Sequence, residues 1–159
     1  MVLKPSFIQA WSQFKKVNVS VADVGKLIGG NVGINIDLGA RDPRQGFTNV
    51  CAIRMSYVIN YSGVIIGRGV WKTVSGADKK WYIYRVKDLL IYLNDKFGKP
   101  DLTVSNPDVS DLHGMKGILV FSVTGWSDAS GHVTLWSGSA CSDNCYFNTA
   151  SEASIWLLD

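Results

Sequence analysis

The sequence predicts an α+β domain, with helices in the first half and an antiparallel sheet in the second. Apolar residues recur at helical spacing near the N-terminus, as Phe7, Trp11 and Phe14 show. The second half instead carries β-rich runs separated by turns rich in Gly, Ser, Asp and Asn. With 159 residues, 47% of them hydrophobic, the chain has the size of one compact domain. We therefore expect a single domain over 1–159.

The N-terminal segment is predicted to contain two helices followed by a loop. The first helix is expected over residues 5–16, and the second over Val21–Ile28. The paired glycines Gly29 and Gly30 favour the end of the second helix. Residues 29–48 are rich in Gly, Asn and Asp and are therefore interpreted as a loop.

The run over 47–63 is predicted to form a helix that begins close to Cys51. Its apolar positions, including Met55 and Ile59, lie on one helical face. Asn49 is a good N-cap residue, because its side-chain oxygen can accept hydrogen bonds from early backbone N–H groups. Cys51 is then expected in the first turn.

The second half is predicted to combine one helix with several strands. Residues 81–86 form a β-rich run, and 86–97 have the pattern of an amphipathic helix that ends at Gly98. Three further β-rich runs, separated by turns, predict an antiparallel sheet: 117–123, 132–136 and 153–158.

Charge and motif content exclude several classes of protein. A net charge of +3 without any run of five Lys/Arg is not the dense basic surface of a nucleic-acid binder. No stretch approaches the roughly 20 apolar residues that span a bilayer, so membrane insertion is not expected. The N-terminus lacks the apolar core of a signal peptide. Gly25–Gly33 lacks the Gly-Lys-Ser/Thr of a phosphate loop, and neither a cofactor nor a metal is expected.

Cys51 is a candidate nucleophile. A helix N-terminus presents unpaired N–H groups and a partial positive charge, both of which favour the thiolate form. The preceding loop, Arg44–Phe47, contains a glycine and would leave the thiol approachable. The alternative is that Cys51 is a small buried hydrophobic residue, as most lone cysteines are.

A cysteine nucleophile needs a base, and imidazole is the usual one. The chain has two histidines. His113 lies in a loop and is interpreted as a solvated residue. His132 opens a predicted strand, so its ring can project over a neighbouring helix end, where Cys51 is expected. The alternative for His132 is a surface position at a turn.

A carboxylate or amide that holds the second ring nitrogen would complete the site. Asp143 follows His132 by eleven residues, and a strand followed by a turn can bring it back beside the ring. Asp128, in the preceding turn, is the competing candidate, and either aspartate can instead cap its own backbone. Trp126, in the same turn before His132, is a weaker candidate for lining a substrate cleft.

Cys141 and Cys145 are close enough in sequence to form a disulfide across a turn. Two reduced thiols and half of a zinc site are the alternatives, although only His132 is near enough in sequence to add a ligand. A disulfide would stiffen the loop that carries Asp143. It would also imply an oxidising destination, although the N-terminus does not resemble a signal peptide.

Two segments, Phe47–Ser56 and Ser130–Trp136, together with Asp143, resemble the type VI secretion amidase effectors of the fourth family. These effectors are compact relatives of NlpC-type papain-like peptidases. The resemblance implies Cys51 as nucleophile, His132 as base and Asp143 as the orienting carboxylate. It also implies hydrolysis of the bond between D-glutamate and meso-diaminopimelate in the peptide stem of peptidoglycan.

The resemblance further implies delivery by the type VI secretion machinery into the periplasm of a rival Gram-negative cell, and a cognate immunity protein that blocks the cleft. An injected protein needs no signal peptide but reaches an oxidising compartment, which agrees with a Cys141–Cys145 disulfide. Arg54, one turn beyond Cys51, can meet a substrate carboxylate or form a salt bridge on the helix surface.

Two other functions fit the same residues. A cysteine deamidase or acyltransferase acting on a protein would use the same three side chains. A non-enzymatic cell-wall binding module would use the tryptophans as a platform and the cysteines only for structure.

Overall fold

The computed structural model describes residues 2–123 and 131–159, which contain five α-helices and six β-strands. The helices are α1 Phe7–Val17, α2 Val21–Ile28, α3 Gly30–Arg41, α4 Cys51–Asn60 and α5 Val86–Phe97. The strands are β1 Thr73–Ser75, β2 Trp81–Ile83, β3 Leu102–Ser105, β4 Gly117–Ser122, β5 Gly131–Trp136 and β6 Glu152–Leu157. None of the helices among these residues is long and apolar enough to cross a membrane.

The sheet follows the prediction for the second half of the chain. Four strands pair antiparallel in the order β3-β6-β4-β5, and β1 and β2 form a separate antiparallel pair. The three predicted strands are β4, β5 and β6, with ends shifted by one residue. Strands β1 and β3 were not predicted, because three or four residues are too few to show a clear alternation. In the sheet, β5 pairs with β4 alone and contacts α1, α4 and α5.

Four of the five helices lie where the sequence predicts them. Helices α2 and α5 have the predicted bounds, and α1 is displaced by one or two residues. The side chains of Ser6 and Ser20 cap α1 and α2 by accepting hydrogen bonds from backbone N–H groups three residues later, each at 3.2 Å. Basic residues in the last turn of α1, Lys15 and Lys16, further favour its end there.

The prediction of a loop over 29–48 is wrong, because α3 occupies its first part. Glycine and asparagine have low helix propensity, but Ile36 is buried in the core and fixes one face of α3. A Cβ on Gly33 would lie 3.0 Å from the carbonyl oxygen of Gly25 in α2. The glycines therefore allow α2 and α3 to pack closely, and this tertiary packing outweighs their propensity. Only the last part of the segment, before α4, is loop.

Helix α4 is the central helix of the fold, and all but one of its ten residues are buried. Two polar side chains on it bind the neighbouring strand β2. The hydroxyl of Ser56 accepts a hydrogen bond from the Ile83 N–H at 2.9 Å, and the Asn60 amide donates to the Trp81 carbonyl at 2.8 Å. Strand β2 is thereby held beside α4 with a defined register.

Candidate active site

Cys51 is the first residue of α4 and is 3% exposed. The predicted N-cap is shifted by one residue, since Val50 is the N-cap and makes no side-chain capping bond. The carboxamide oxygen of Asn49 instead accepts a hydrogen bond from the Cys51 N–H at 3.1 Å. The thiol therefore lies at the positive end of the helix dipole, as the sequence predicts.

His132, the second residue of β5, is brought to Cys51 by the packing of α4 against β5. The imidazole is largely buried, with the residue 8% exposed. Its Nε2 lies 3.1 Å from each carboxylate oxygen of Asp143. The Nδ1 atom is then the ring nitrogen left for the thiol, and interaction with Cys51 contributes to the pKa of the ring. The structure thus brings Cys51, His132 and Asp143 together.

Asp143 is held against His132 by a chain segment that folds back along β5. The Ser142 hydroxyl accepts a hydrogen bond from the Leu135 N–H at 3.0 Å, and the Ser142 N–H donates to the Leu135 carbonyl at 2.8 Å. The hydroxyl of Thr134 donates to Oδ1 of Asp143 at 2.6 Å. Hydrogen bonds to β5 therefore hold both the Asp143 carboxylate and the residue before it in place.

The segment after β5 is closed by a disulfide between Cys141 and Cys145, with 5.6 Å between their Cα atoms. The predicted disulfide therefore exists, and Cys51 is the free cysteine. Asp143 lies inside this closed loop, and Tyr146 follows it directly. The ring of Tyr146 meets the His132 ring edge-on, with 4.8 Å between centroids. Cys145, one end of the disulfide, thus lies between two residues that contact the imidazole.

The electrostatics of the site favour a charged imidazole. Burial lowers the pKa of His132, but hydrogen bonds and charge interactions with Asp143 and Cys51 outweigh it and raise the pKa to about 9. Burial likewise raises the pKa of Asp143, but the hydrogen bond and charge of His132 and the Thr134 hydroxyl hold it below its ordinary value. At neutral pH the pair is therefore an imidazolium beside a carboxylate.

Thr134 and Tyr146 are site residues that the sequence reasoning missed. Thr134 lies two residues after His132 on the same strand, and such residues point to the same face. This alternation was sufficient to place Thr134 beside the imidazole. Nothing in the sequence indicated Tyr146, because its position depends on how the disulfide loop returns to the sheet.

The other predicted site residues fall into three groups. Trp126 and Asp128 lie outside the described residues. His113 is exposed beyond the short 3₁₀ turn Val109–Leu112, as predicted. Arg54 donates from Nη2 to the Val19 carbonyl at 2.6 Å, so its guanidinium is bound to the turn between α1 and α2.

The arrangement contains the parts that nucleophilic acyl transfer needs. A thiol at a helix N-terminus lies beside an imidazole, and a carboxylate orients that imidazole from its other nitrogen. The raised pKa of His132 provides a proton for a leaving amine at neutral pH.

Comparisons with known proteins agree with this chemistry. The family described as type VI secretion system (T6SS), amidase effector protein 4 (Tae4), matches residues 47–157. That range contains all three residues of the site. No curated protein sequence matches the chain.

Solved structures match almost the whole chain. The effector Tae4 from Salmonella typhimurium, in complex with the immunity protein Tai4 from Enterobacter cloacae, is 51% identical with a TM-score of 0.92, covering 98% of this chain and 100% of that one. The effector Tae4 from Enterobacter cloacae is 45% identical with a TM-score of 0.91, covering 99% of each chain. These similarities confirm the predicted α+β, papain-like fold.

Proposed function

We propose the catalytic residues and reaction steps of this chain from the premise that it belongs to the Tae4 family of type VI secretion amidase effectors. The family consists of peptidoglycan DL-endopeptidases that act as antibacterial toxins. The chain is accordingly a peptidoglycan hydrolase, and its predicted class is confirmed. The bond that it cleaves joins D-glutamate to meso-diaminopimelate.

The observation that carries the catalytic assignment is the hydrogen bond between His132 and Asp143. Cys51 interacts with the same imidazole and raises its pKa. In the proposed first step, the sulfur of Cys51 attacks the carbonyl carbon of the scissile amide. The proton that Cys51 gives up when it acts as a nucleophile is held by Nδ1 of His132. The tetrahedral intermediate then collapses, the C–N bond breaks, and His132 donates its proton to the departing amine.

The second step releases the acyl group from the enzyme. Neutral His132 takes a proton from water, and the resulting hydroxide attacks the thioester carbonyl. The C–S bond breaks and the Cys51 sulfur leaves as a thiolate. The stem is released with a D-glutamyl γ-carboxyl group, which passes its remaining proton to solvent and becomes a carboxylate. Asp143 keeps the imidazole in the orientation that both proton transfers need.

The oxyanion of each tetrahedral intermediate is assigned to backbone N–H groups at the start of α4. The N–H of Cys51 is bound to the exposed side chain of Asn49 in the free protein. We infer that the substrate oxygen replaces the Asn49 carboxamide at this N–H. One such donor contributes about 3 kcal/mol to transition-state stabilisation.

As a type VI effector, the chain is delivered into target cells. We infer that it acts in the periplasm, where peptidoglycan is accessible and the Cys141–Cys145 disulfide persists. Relatives from two species were solved in complex with the immunity protein Tai4. By this similarity we infer that a cognate immunity protein inhibits this chain in the producing cell.

Digestion of purified muropeptides tests the proposed reaction. With wild-type protein, mass spectrometry is expected to show tetrapeptide stems cut between D-glutamate and meso-diaminopimelate. Stems that remain intact would contradict this reaction. A protein deamidase or acyltransferase with the same three residues would leave the muropeptide masses unchanged, so the same measurement separates the two functions.

The disulfide is expected to support catalysis, because it closes the loop that holds Asp143. Replacing Cys141 and Cys145 by serine should lower kcat/KM by about tenfold or more, since small displacements of catalytic groups are costly. Thiol labelling of the unfolded wild-type protein, purified after periplasmic expression, checks the bond itself. One reactive cysteine is expected, and three would contradict the disulfide.

A further inference from the structure

We propose that Arg85 binds a substrate carboxylate that flanks the scissile amide. This inference rests on the proposed function, because it assigns a specificity contact to the same site. Arg85 is the N-cap residue of α5 and lies two residues after the end of β2. Three features of the structure carry the assignment: the position of Arg85 relative to Cys51, the packing of α5 against β5, and the way the guanidinium is held.

The register between α4 and β2 places Arg85 at the Cys51 end of α4. Going along β2, Trp81 is bound by Asn60 at the C-terminal end of α4, and Ile83 by Ser56 one turn earlier. Two residues of strand and four of helix each advance by about 6 Å. Arg85 lies two residues beyond Ile83 with an extended backbone, so the same spacing brings it level with the first turn of α4.

The loop that leads into α4 confirms this direction. Phe47, four residues before Cys51, stacks on Tyr84 with 4.9 Å between ring centroids and an angle of 20° between the rings. Tyr84 directly precedes Arg85. The aromatic pair therefore joins the Arg85 segment to the segment that carries the nucleophile.

Helix α5, of which Arg85 is the N-cap residue, also packs against the strand that carries His132. At the C-terminal end of α5, the Gly98 carbonyl accepts a hydrogen bond from the Trp156 indole at 2.8 Å. Trp156 pairs with Ile118, which in turn pairs with Leu135 of β5. Helix α5 also contacts β5, α4 and β2. The segment that begins at Arg85 therefore packs against the helix that carries Cys51 and against the strand that carries His132.

The guanidinium of Arg85 is held in place but not fully occupied. Its Nε donates to the buried carboxylate of Asp88 at 2.5 Å, and its Cζ lies 6.0 Å from the centroid of the Tyr84 ring. The side chain of Arg85 is 36% exposed, whereas that of Asp88 is 4% exposed. The Nη groups make no hydrogen bond to any residue in 2–123 or 131–159. Two donors are therefore available in a fixed orientation.

A carboxylate is the ligand that fits these donors. Two N–H groups of one guanidinium match the two oxygens of a carboxylate in a bidentate pair. The proposed substrate carries carboxylates on both sides of the scissile bond, the α-carboxylate of D-glutamate and the side-chain carboxylate of diaminopimelate. Arg54, the other arginine considered for this role, donates from Nη2 to the Val19 carbonyl in the turn between α1 and α2, and its Nε is buried.

Three tetrapeptide muropeptides test the assignment: one unmodified, one amidated at the glutamate α-carboxylate, and one amidated at the diaminopimelate side chain. For the unmodified substrate, Arg85→Gln should lower kcat/KM by about ten- to a hundredfold, which is the size expected for a charged hydrogen bond. Wild type should lose a similar factor on one of the amidated substrates. On that substrate, Arg85→Gln should cause almost no further loss of kcat/KM. Which of the two amidated substrates behaves in this way shows which carboxylate Arg85 binds.

Two controls keep the test specific. Arg68→Gln removes another exposed arginine, whose guanidinium lies 5.1 Å from the centroid of the Trp81 ring. Trp81 lies beside the C-terminal end of α4, away from Cys51. It should leave all three rates unchanged. Arg85→Lys keeps the charge, so it should retain the preference for the carboxylate even if Arg85→Gln folds poorly.

The proposal is overturned if Arg85→Gln or Arg85→Lys loses the same factor on all three substrates, because Arg85 would then only support the fold. The proposed function fails differently, since in that case the wild-type protein would leave even the unmodified muropeptide uncut. The two failures are therefore distinguishable in one set of measurements.

Discussion

Cys51→Ala is expected to abolish hydrolysis, lowering kcat/KM for muropeptides by more than about 10⁵-fold, as loss of a catalytic nucleophile does elsewhere. Alanine cannot form the thioester, so neither half of the reaction can proceed. The side chain is small and buried at the start of α4, and alanine fits the same space. Thermal unfolding should therefore show a folded variant, and muropeptide assays should show no cleavage.

The two histidines provide a matched control for the same experiment. His132→Ala should approach the loss seen for Cys51→Ala, because the two residues act as a unit. His113→Ala removes an exposed imidazole next to Leu112, whose carbonyl binds the Trp136 indole at the opposite end of β5 from His132, and it should leave the rate unchanged. Toxicity in the periplasm that persists in Cys51→Ala or His132→Ala would contradict a catalytic toxin and favour a binding module.

Asp143→Asn is expected to lower kcat by about 10²- to 10⁴-fold, because an amide does not hold the imidazole in its productive state as a carboxylate does. The Thr134 hydroxyl can still hydrogen-bond the amide oxygen, so the loop should keep its position. A loss below about tenfold would transfer the orienting role to Asp128.

The pH profile separates this electrostatic role from a structural one. His132 must be protonated to expel the amine, so wild-type kcat/KM should fall as pH rises through about 9. The charge of Asp143 raises the pKa of His132, whereas burial lowers it. In Asp143→Asn the alkaline fall should therefore move to lower pH. A fall at unchanged pH would show that Asp143 does not set the charge state of His132.

Local sequence patterns were sufficient for much of the fold. Helix α5 was predicted with its observed bounds because its apolar spacing ends at a glycine, which favours a helix stop. Strand β5 was predicted because a run with strand-forming residues, including Val133, Thr134 and Trp136, lies between turns rich in Gly, Ser and Asp. Helix α3 was missed because its glycines are needed for packing against α2, which a local pattern does not contain.

Some residues of the candidate site could be predicted from the sequence around them, and others only from the family resemblance or the structure. Cys51 at a helix start is a local property, and with only two histidines His132 was the better candidate for its base. The choice of Asp143 came from a family resemblance, since spacing alone left Asp128 open. The structure supplies the geometry for Asp143: hydrogen bonds from Ser142 and Thr134 bring its carboxylate back to β5.

The sequence by itself determined the class of fold, the helix that carries the nucleophile and the family of the chain. These depend on periodicity, capping and motif residues that lie close together along the chain. Only the tertiary structure decided how Asp143 and Tyr146 surround His132, and how Arg85 comes level with the first turn of α4. The first depends on how the chain after β5 folds back along that strand, and the second on the register of β2 on α4; a local sequence pattern contains neither.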